Sequence, residues 1–283
     1  MIPANFDYQA PSSVEQAIAL LESSHEAKLL AGGHSLLPAM KLRLAEPALL
    51  IDLGRIPGLS YVREAGAQVA LGAMTTHAAI AESPLLASRS PLLSRAARQI
   101  GDVQVRNRGT IGGSIAHADP AADYPAALLA LDAEIVARGR KGERTIPARE
   151  FFSGLFSTTL LSGELITEIR VPATTGAGTS YAKFHHPASG FAVVGVAAVV
   201  KMASGKIQSA AIGITGVADH AYRAGAAERA LVNQPASAIA GACSRAAEGV
   251  DALGDHFASA EYRKHLAAVY CRRAVQEAMA AKA

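Results

Sequence analysis

The chain has 283 residues, 50% of them apolar, and a formal net charge of +3 from 27 Lys and Arg against 24 Asp and Glu. That is enough apolar material for two domains or one large one, at roughly 100–200 residues per domain, and the mixed charge excludes the basic stripe of a nucleic-acid binder. Two cysteines outside any C-x-x-C pattern, Cys243 and Cys271, exclude a disulfide framework and an iron–sulfur or zinc site built from cysteines of this chain alone. They read as two half-buried thiols in a reducing compartment. The start, Met1-Ile2-Pro3-Ala4-Asn5-Phe6-Asp7, lacks the charged and apolar regions of a signal peptide. The longest apolar run, 190–200, is too short to span a bilayer. The expectation is a cytoplasmic protein without a transmembrane segment.

Along the chain, Pro11-Ser12-Ser13-Val14-Glu15 reads as a helix start, with Ser12 as cap and Glu15 at capping-box spacing. Val14, Ala17, Ile18 and Leu21 then form one apolar stripe. Lys28-Leu29-Leu30 is a short strand that runs into Ala31-Gly32-Gly33, and residues 49–53 form another. Residues 60–62 and 68–71 read as a hairpin across Glu64-Ala65-Gly66-Ala67. Helices are expected over 75–82, 90–100 and 123–131, the last capped by Asp123, with a loop at 109–114. Strands 133–137 and 144–146 flank the turn 138–142, and strand 165–171 is ended by Pro172. The small residues of 173–178 mark the main boundary, dividing the chain into 1–176 and 177–283. Beyond it, three β-rich runs (179–185, 191–202 and 206–215, the last two joined by Ala203-Ser204-Gly205) precede helical patterns over 221–231, 236–250 and 258–283. Three antiparallel strands followed by helices make a small α+β domain.

Two segments carry chemistry. Backbone N–H groups hold a diphosphate when no Cβ blocks its approach. Gly32-Gly33 supplies that bareness straight after a strand, with His34 and Ser35 as further donors and a helix start at Leu36 and Leu37, whose N-terminus favours an anion. Gly112-Gly113 repeats the device between the hydroxyls of Thr110 and Ser114. Neither G-x-G-x-x-G nor G-x-x-x-x-G-K-[ST] is present, which disfavours a Rossmann domain or a P-loop.

With these loops in hand, the sequence resembles the flavoprotein (medium) subunit of molybdenum hydroxylases, the carbon monoxide dehydrogenase and xanthine dehydrogenase family. The resemblance rests on Ala31-Gly32-Gly33-His34-Ser35 and Thr110-Ile111-Gly112-Gly113-Ser114. Phe6-Asp7-Tyr8, Gly72-Ala73-Met74-Thr75-Thr76, 105–110, 118–123 and Gly163-Glu164-Leu165 extend it over nearly the whole chain. It implies a PCMH-type, vanillyl-alcohol-oxidase-like α+β fold of two subdomains, about 1–57 and 58–176, with FAD between them and the smaller domain following. It implies that Leu29, Leu30, Ala31, Gly32, Gly33, His34, Ser35, Leu36 and Leu37 wrap the pyrophosphate, with Thr110, Ile111, Gly112, Gly113 and Ser114 as the second contact. Asp123 then matches a carboxylate near the ribityl or ribose hydroxyls. Ile166 and Lys183 match positions near the flavin or adenine ends, and Ile100 an apolar contact. Phe191 falls where a related subunit has a tyrosine beside the isoalloxazine, so a phenol hydroxyl is missing here. The implied partners are a large molybdopterin subunit and a small subunit with two 2Fe–2S clusters, in a dimer of heterotrimers that passes electrons through FAD to an external acceptor.

Read without the resemblance, Asp123 is a helix cap, Lys183 a surface lysine, and Arg106 and Arg108 steer phosphate, are solvated charges or contact a partner. His77 and His117 lack partners at metal-ligand spacing and read as structural. His185-His186 on a strand would point to opposite faces. No Ser-His-Asp or Cys-His constellation is present, as expected where the cofactor carries the chemistry. A stand-alone FAD oxidoreductase of the same fold and a non-enzymatic nucleotide-binding protein are the alternatives.

Overall fold

Three principal sheets follow one another along the chain, and each has its own apolar core. The computed structural model describes residues 1–281. The first sheet is parallel, built from β1 (Asp7–Gln9), β2 (Ala27–Leu30) and β3 (Leu49–Asp52) in the order β1-β3-β2. Parallel neighbours need crossovers. These are α1 (Val14–Ser23) between β1 and β2, and the stretch containing α2 (Leu36–Lys41) between β2 and β3. Ala17 and Ile18 of α1 pack with Ile51 and Leu53. The cap of α1 is Ser13, whose Oγ accepts from the Gln16 N–H at 3.2 Å; the expected cap, Ser12, bonds the Gln16 side chain instead.

The second sheet is antiparallel, with five strands in the order β4-β5-β10-β6-β7. Its first hairpin, β4 (Val62–Ala65) and β5 (Gln68–Gly72), turns on Gly66-Ala67, tighter and later than expected. Six helices follow: α3 (His77–Glu82), α4 (Pro84–Arg89), α5 (Pro91–Arg98), α6 (Val103–Arg108), α7 (Ile111–His117) and α8 (Asp123–Ala130). The chain returns through β6 (Glu134–Gly139), β7 (Gly142–Pro147), α9 (Ala148–Phe151), the short hairpin β8 (Phe152–Gly154) and β9 (Ser157–Thr158), and β10 (Leu165–Pro172). The loop expected at 109–114 is in fact a short link and the first turn of α7, capped by Thr110. Paired glycines disfavour a helix by propensity, but burial of Ile111 and Ile115 in the core overrides that here. All eight residues of α8 are buried. Its N-cap is Ala122, not Asp123, whose carboxylate points away to partners on another element.

The third sheet has the three expected strands, β11 (Gly178–His185), β12 (Ala192–Ala203) and β13 (Lys206–Thr215), plus a two-residue edge strand, β14 (Tyr222–Arg223). β12 and β13 join through Ser204 (φ 50°) and Gly205 (φ 74°), the paired positive φ of a type I′ hairpin. Pairing of Tyr222 with Ile214 delays the next helix, α10 (Gly225–Leu231), by four residues relative to the expected start at 221. The pattern over 236–250 shrinks to a 3₁₀ turn, Ala236–Ala238, and α11 (Ile239–Cys243). The last helix, α12 (Ala260–Ala280), packs along β11 and β12; residues 282–283 of the expected helix lie outside the described residues. Cys243 and Cys271 are free and fully buried in this core rather than half-buried. α8 packs against β12 and β13, so that a Cβ on Gly213 would lie 2.0 Å from the Ala126 carbonyl oxygen. Thr215 Oγ1 sits 2.7 Å and 2.8 Å from the carbonyl oxygens of Pro120 and Ala122. The third sheet is thereby anchored to the residues leading into α8. Among the described residues, no helix is long and apolar enough to cross a membrane.

Candidate functional site

The two glycine segments lie directly on each other. A Cβ at Gly32 would be 2.2 Å from the Arg108 carbonyl oxygen and 2.7 Å from Gly109 Cα, and one at Gly113 would be 3.3 Å from Ala31 Cβ. Leaving β2, the chain turns at Gly33 (φ 78°) and enters α2, with the Gly33 and Ser35 carbonyls accepting from the N–H groups of Leu37 and Ala39 at 3.0 and 3.2 Å. The N–H groups of Gly32, Gly33, His34 and Ser35 donate to nothing among the described residues. Unpaired main-chain donors demand water or a ligand, and a run of them after a strand suits an anion.

The second segment is built differently from the sequence expectation. The N–H groups of its last four residues are already used: Ile111 donates to Thr75 O at 3.1 Å, Gly112 to Ala73 O at 2.8 Å, Gly113 to Thr110 Oγ1 at 3.1 Å and Ser114 to Thr110 O at 3.0 Å. Its glycines serve close packing, since a Cβ at Gly112 would be 2.6 Å from Ala73 Cβ. The first segment therefore offers donors, and the second sets the floor on which they stand.

Behind that floor sits His77, only 4% exposed. Its backbone N–H donates to Gly109 O at 2.9 Å, and its Nδ1 lies 3.1 Å from Tyr124 Oη. Burial first, then the nearby charges of His34 and Arg106, pushes its pKa down to about 4, so the ring is neutral at pH 7. Burial and the Asp123 charge hold the Tyr124 phenol well above its ordinary value.

Asp123 is fully buried with two partners from β11. Tyr181 donates to Oδ1, and Lys183 Nζ lies 2.9 Å from Oδ2 and 3.0 Å from Gln99 O. Burial raises the Asp123 pKa, while Lys183 and Tyr181 oppose the rise. Lys183 is thus no surface lysine, and Asp123 no cap. Gln99 Nε2 donates to Tyr181 O at 2.9 Å, and Ile100 beside it packs against the second core. The structure thus unites the two glycine segments and pairs Asp123 with Lys183. Ile166 lies in the second core, opposite Ala137 at a register shift in β10. Phe191, just before β12, is 45% exposed. Leu29, Leu30 and Leu36 are half-buried and Leu37 is exposed. Tyr124, Tyr181 and Gln99 escaped the sequence reading because their partners are distant in the chain.

Two family models account for the chain. The one described as FAD binding domain in molybdopterin dehydrogenase matches residues 4–174. The one described as CO dehydrogenase flavoprotein C-terminal domain matches 179–278. The chain belongs to the FAD-binding medium chains of the carbon monoxide dehydrogenase type, flavoprotein subunits of oxidoreductases. It is 42% identical to the carbon monoxide dehydrogenase medium chain of Hydrogenophaga pseudoflava over 99% of both chains. It is 39% identical to the 6-hydroxypseudooxynicotine dehydrogenase complex subunit alpha of Paenarthrobacter nicotinovorans, over 99% of this chain and 96% of that one. A solved carbon monoxide dehydrogenase from Hydrogenophaga pseudoflava, lacking the Mo-pyranopterin moiety of its molybdenum cofactor, superposes on 100% of both chains with a TM-score of 0.97 and 44% identity. The expected PCMH-type fold with its C-terminal domain therefore holds.

Proposed function

We propose that this chain is the electron-transfer subunit of a cytoplasmic molybdenum hydroxylase. It takes electrons from two 2Fe–2S clusters on a small partner subunit and passes them to an external acceptor. A large molybdopterin subunit hydroxylates the substrate, and the assembly is a dimer of heterotrimers. FAD suits this place because it accepts electrons singly and releases them in pairs. The observation that carries the reading is the run of four unpaired N–H groups from Gly32 to Ser35, laid on a second glycine segment. Those donors fit a diphosphate.

In this reading the span from Leu29 to Leu37 wraps the diphosphate, and Thr110 to Ser114 hold it from below. Asp123 turns toward the ribityl or ribose hydroxyls whatever acceptor capacity Tyr181 and Lys183 leave; each carboxylate oxygen takes two bonds. Lys183, buried against Asp123, holds that carboxylate in place and opposes the rise in its pKa that burial causes. Ile100 and Ile166 supply apolar contact, and Phe191 an aromatic face without a phenol proton. The division of labour falls at residues 176 and 177, with the C-terminal domain clamping α8. The relatives are named for carbon monoxide and for 6-hydroxypseudooxynicotine, which supports a reading in which the partner subunit chooses the substrate.

The full chain, incubated with FAD and freed of excess, is expected to show the two visible bands of a bound flavin. Produced with its neighbouring genes, it is expected to copurify with molybdenum and iron. A colourless protein after FAD incubation rules out the flavin reading; a yellow protein without metal-bearing partners leaves a stand-alone flavoprotein.

A further inference from the structure

Gly109 is pressed against an imidazole. A Cβ there would lie 2.5 Å from His77 Nε2 and 2.7 Å from its Cδ2, so only a glycine lets the Nε2 edge of the ring lie this close to the backbone of the second segment. The opposite nitrogen, Nδ1, faces Tyr124 Oη at 3.1 Å. Tyr124 is fully buried, and Nδ1 is its hydroxyl's one partner among the described residues. The phenol keeps its proton, and a buried O–H needs an acceptor. Tyr124 therefore donates to Nδ1, which fixes the neutral ring as the Nε2–H tautomer. That leaves a donor on Nε2 with no partner among the described residues, in a side chain more than nine-tenths buried. Nε2 is not among the fully enclosed atoms that lack a partner, so it keeps an opening through which a water or a ligand oxygen can reach it.

The neighbours of that ring edge say what would complete the bond. Gly109 Cα is 2.7 Å from the Cβ position of Gly32, the first of the four unpaired N–H residues. His34 of the same segment is close enough for its charge to act on His77. We propose that His77 is a further ligand-binding residue, its Nε2–H donating past Gly109 to an anionic oxygen of the diphosphate held on Gly32 to Ser35. The proposal rests on reading those four N–H groups as the diphosphate seat. The donor being uncharged, it adds direction without a second fixed charge.

The test is FAD titration of the full-chain apoprotein, followed by flavin fluorescence. The His77→Asn carboxamide reaches the level of Nδ1 and keeps the Tyr124 contact, whereas His77→Gln reaches the level of Nε2. H77Q is expected to bind within about 3-fold of the unaltered chain and H77N roughly 10- to 100-fold more weakly, the cost of a lost hydrogen bond to a charged group. Equal affinities for H77N and H77Q, whether both tight or both weak, would show that the ring only fills space and would overturn the proposal. A readout free of variants comes from ¹⁵N NMR of the imidazole. The unliganded chain should show the Nε2–H tautomer, and FAD should shift Nε2 far more than Nδ1; the other tautomer, or no shift at Nε2, also overturns it. If the unaltered chain fails to bind FAD at all, the diphosphate reading fails first, and this one with it.

Discussion

Lys183 Nζ lies 2.9 Å from Asp123 Oδ2, and the lysine side chain has no exposed surface while the aspartate keeps 5%. This one ion pair ties β11 of the third sheet to the start of α8, and the Gln99 carbonyl ties both to the end of the α5 segment. Removing one partner of a buried pair leaves a charge without compensation, which costs about 3–5 kcal/mol. Lys183→Met is therefore expected to destabilise the chain by that amount in urea denaturation and to drive the Asp123 pKa further up. Asp123→Asn combined with Lys183→Met should recover most of the loss. Equal losses in the single and double variants would mean that packing, not charge, dominates there.

Gly32 and Gly241 give a paired comparison. A Cβ at Gly32 meets the backbone of Arg108 at 2.2 Å, while one at Gly241 meets nothing within 4 Å. Gly32→Ala must push the two glycine segments apart and is expected to abolish FAD retention through gel filtration. Gly241→Ala, inside α11, should leave FAD binding unchanged and raise stability by roughly 0.5–1 kcal/mol through helix propensity. Full FAD retention by Gly32→Ala would show that the contact between the segments does not govern the site.

The glycine segments were legible because backbone bareness is written locally, in two adjacent residues. What the sequence could not say is that the second segment spends its N–H groups on Ala73, Thr75 and Thr110. The helix that does so, α7, was hidden by Gly112-Gly113, which read as a loop by propensity alone. Asp123 shows the same limit from the other side. At the head of an apolar run it has the pattern of a cap, and only the packing of β11 onto α8 brings Tyr181 and Lys183, 58 and 60 residues away, to its carboxylate. The expected strands and hairpins lie within a few residues of their places, because alternation and turn residues are local signals, whereas β1, β8, β9 and β14 are too short to carry an alternation and were missed. The helices after residue 220 were overextended, because alanine-rich stretches carry helix propensity whether or not a core face exists to hold them.

FAD binding should itself stabilise the fold. A ligand held only by the native state adds about 2.7 kcal/mol at a free concentration of 100 Kd. Thermal unfolding of the full chain is expected to move upward with FAD concentration, and Gly32→Ala to remove the shift. A melting temperature independent of FAD would contradict a native-state site.

His77 makes stability depend on pH in a defined direction. Its pKa is about 4 in the folded chain against an ordinary 6.5, so between those values the unfolded chain binds a proton that the folded chain refuses. Above pH 6.5 the ring is neutral in both states and contributes no slope. As pH falls from 6.5 toward 4, protonation of the unfolded state draws stability away, by about 3 kcal/mol in total at 1.36 kcal/mol per unit. Below pH 4 the folded state takes the proton too and the loss levels off. Urea unfolding of the unaltered chain and of His77→Gln at pH 7 and pH 4.5 isolates this group, since every other titrating residue is common to both. The expected result is a steeper acid loss for the unaltered chain by roughly 2–3 kcal/mol. Parallel losses would mean that the imidazole is solvated enough to protonate in place.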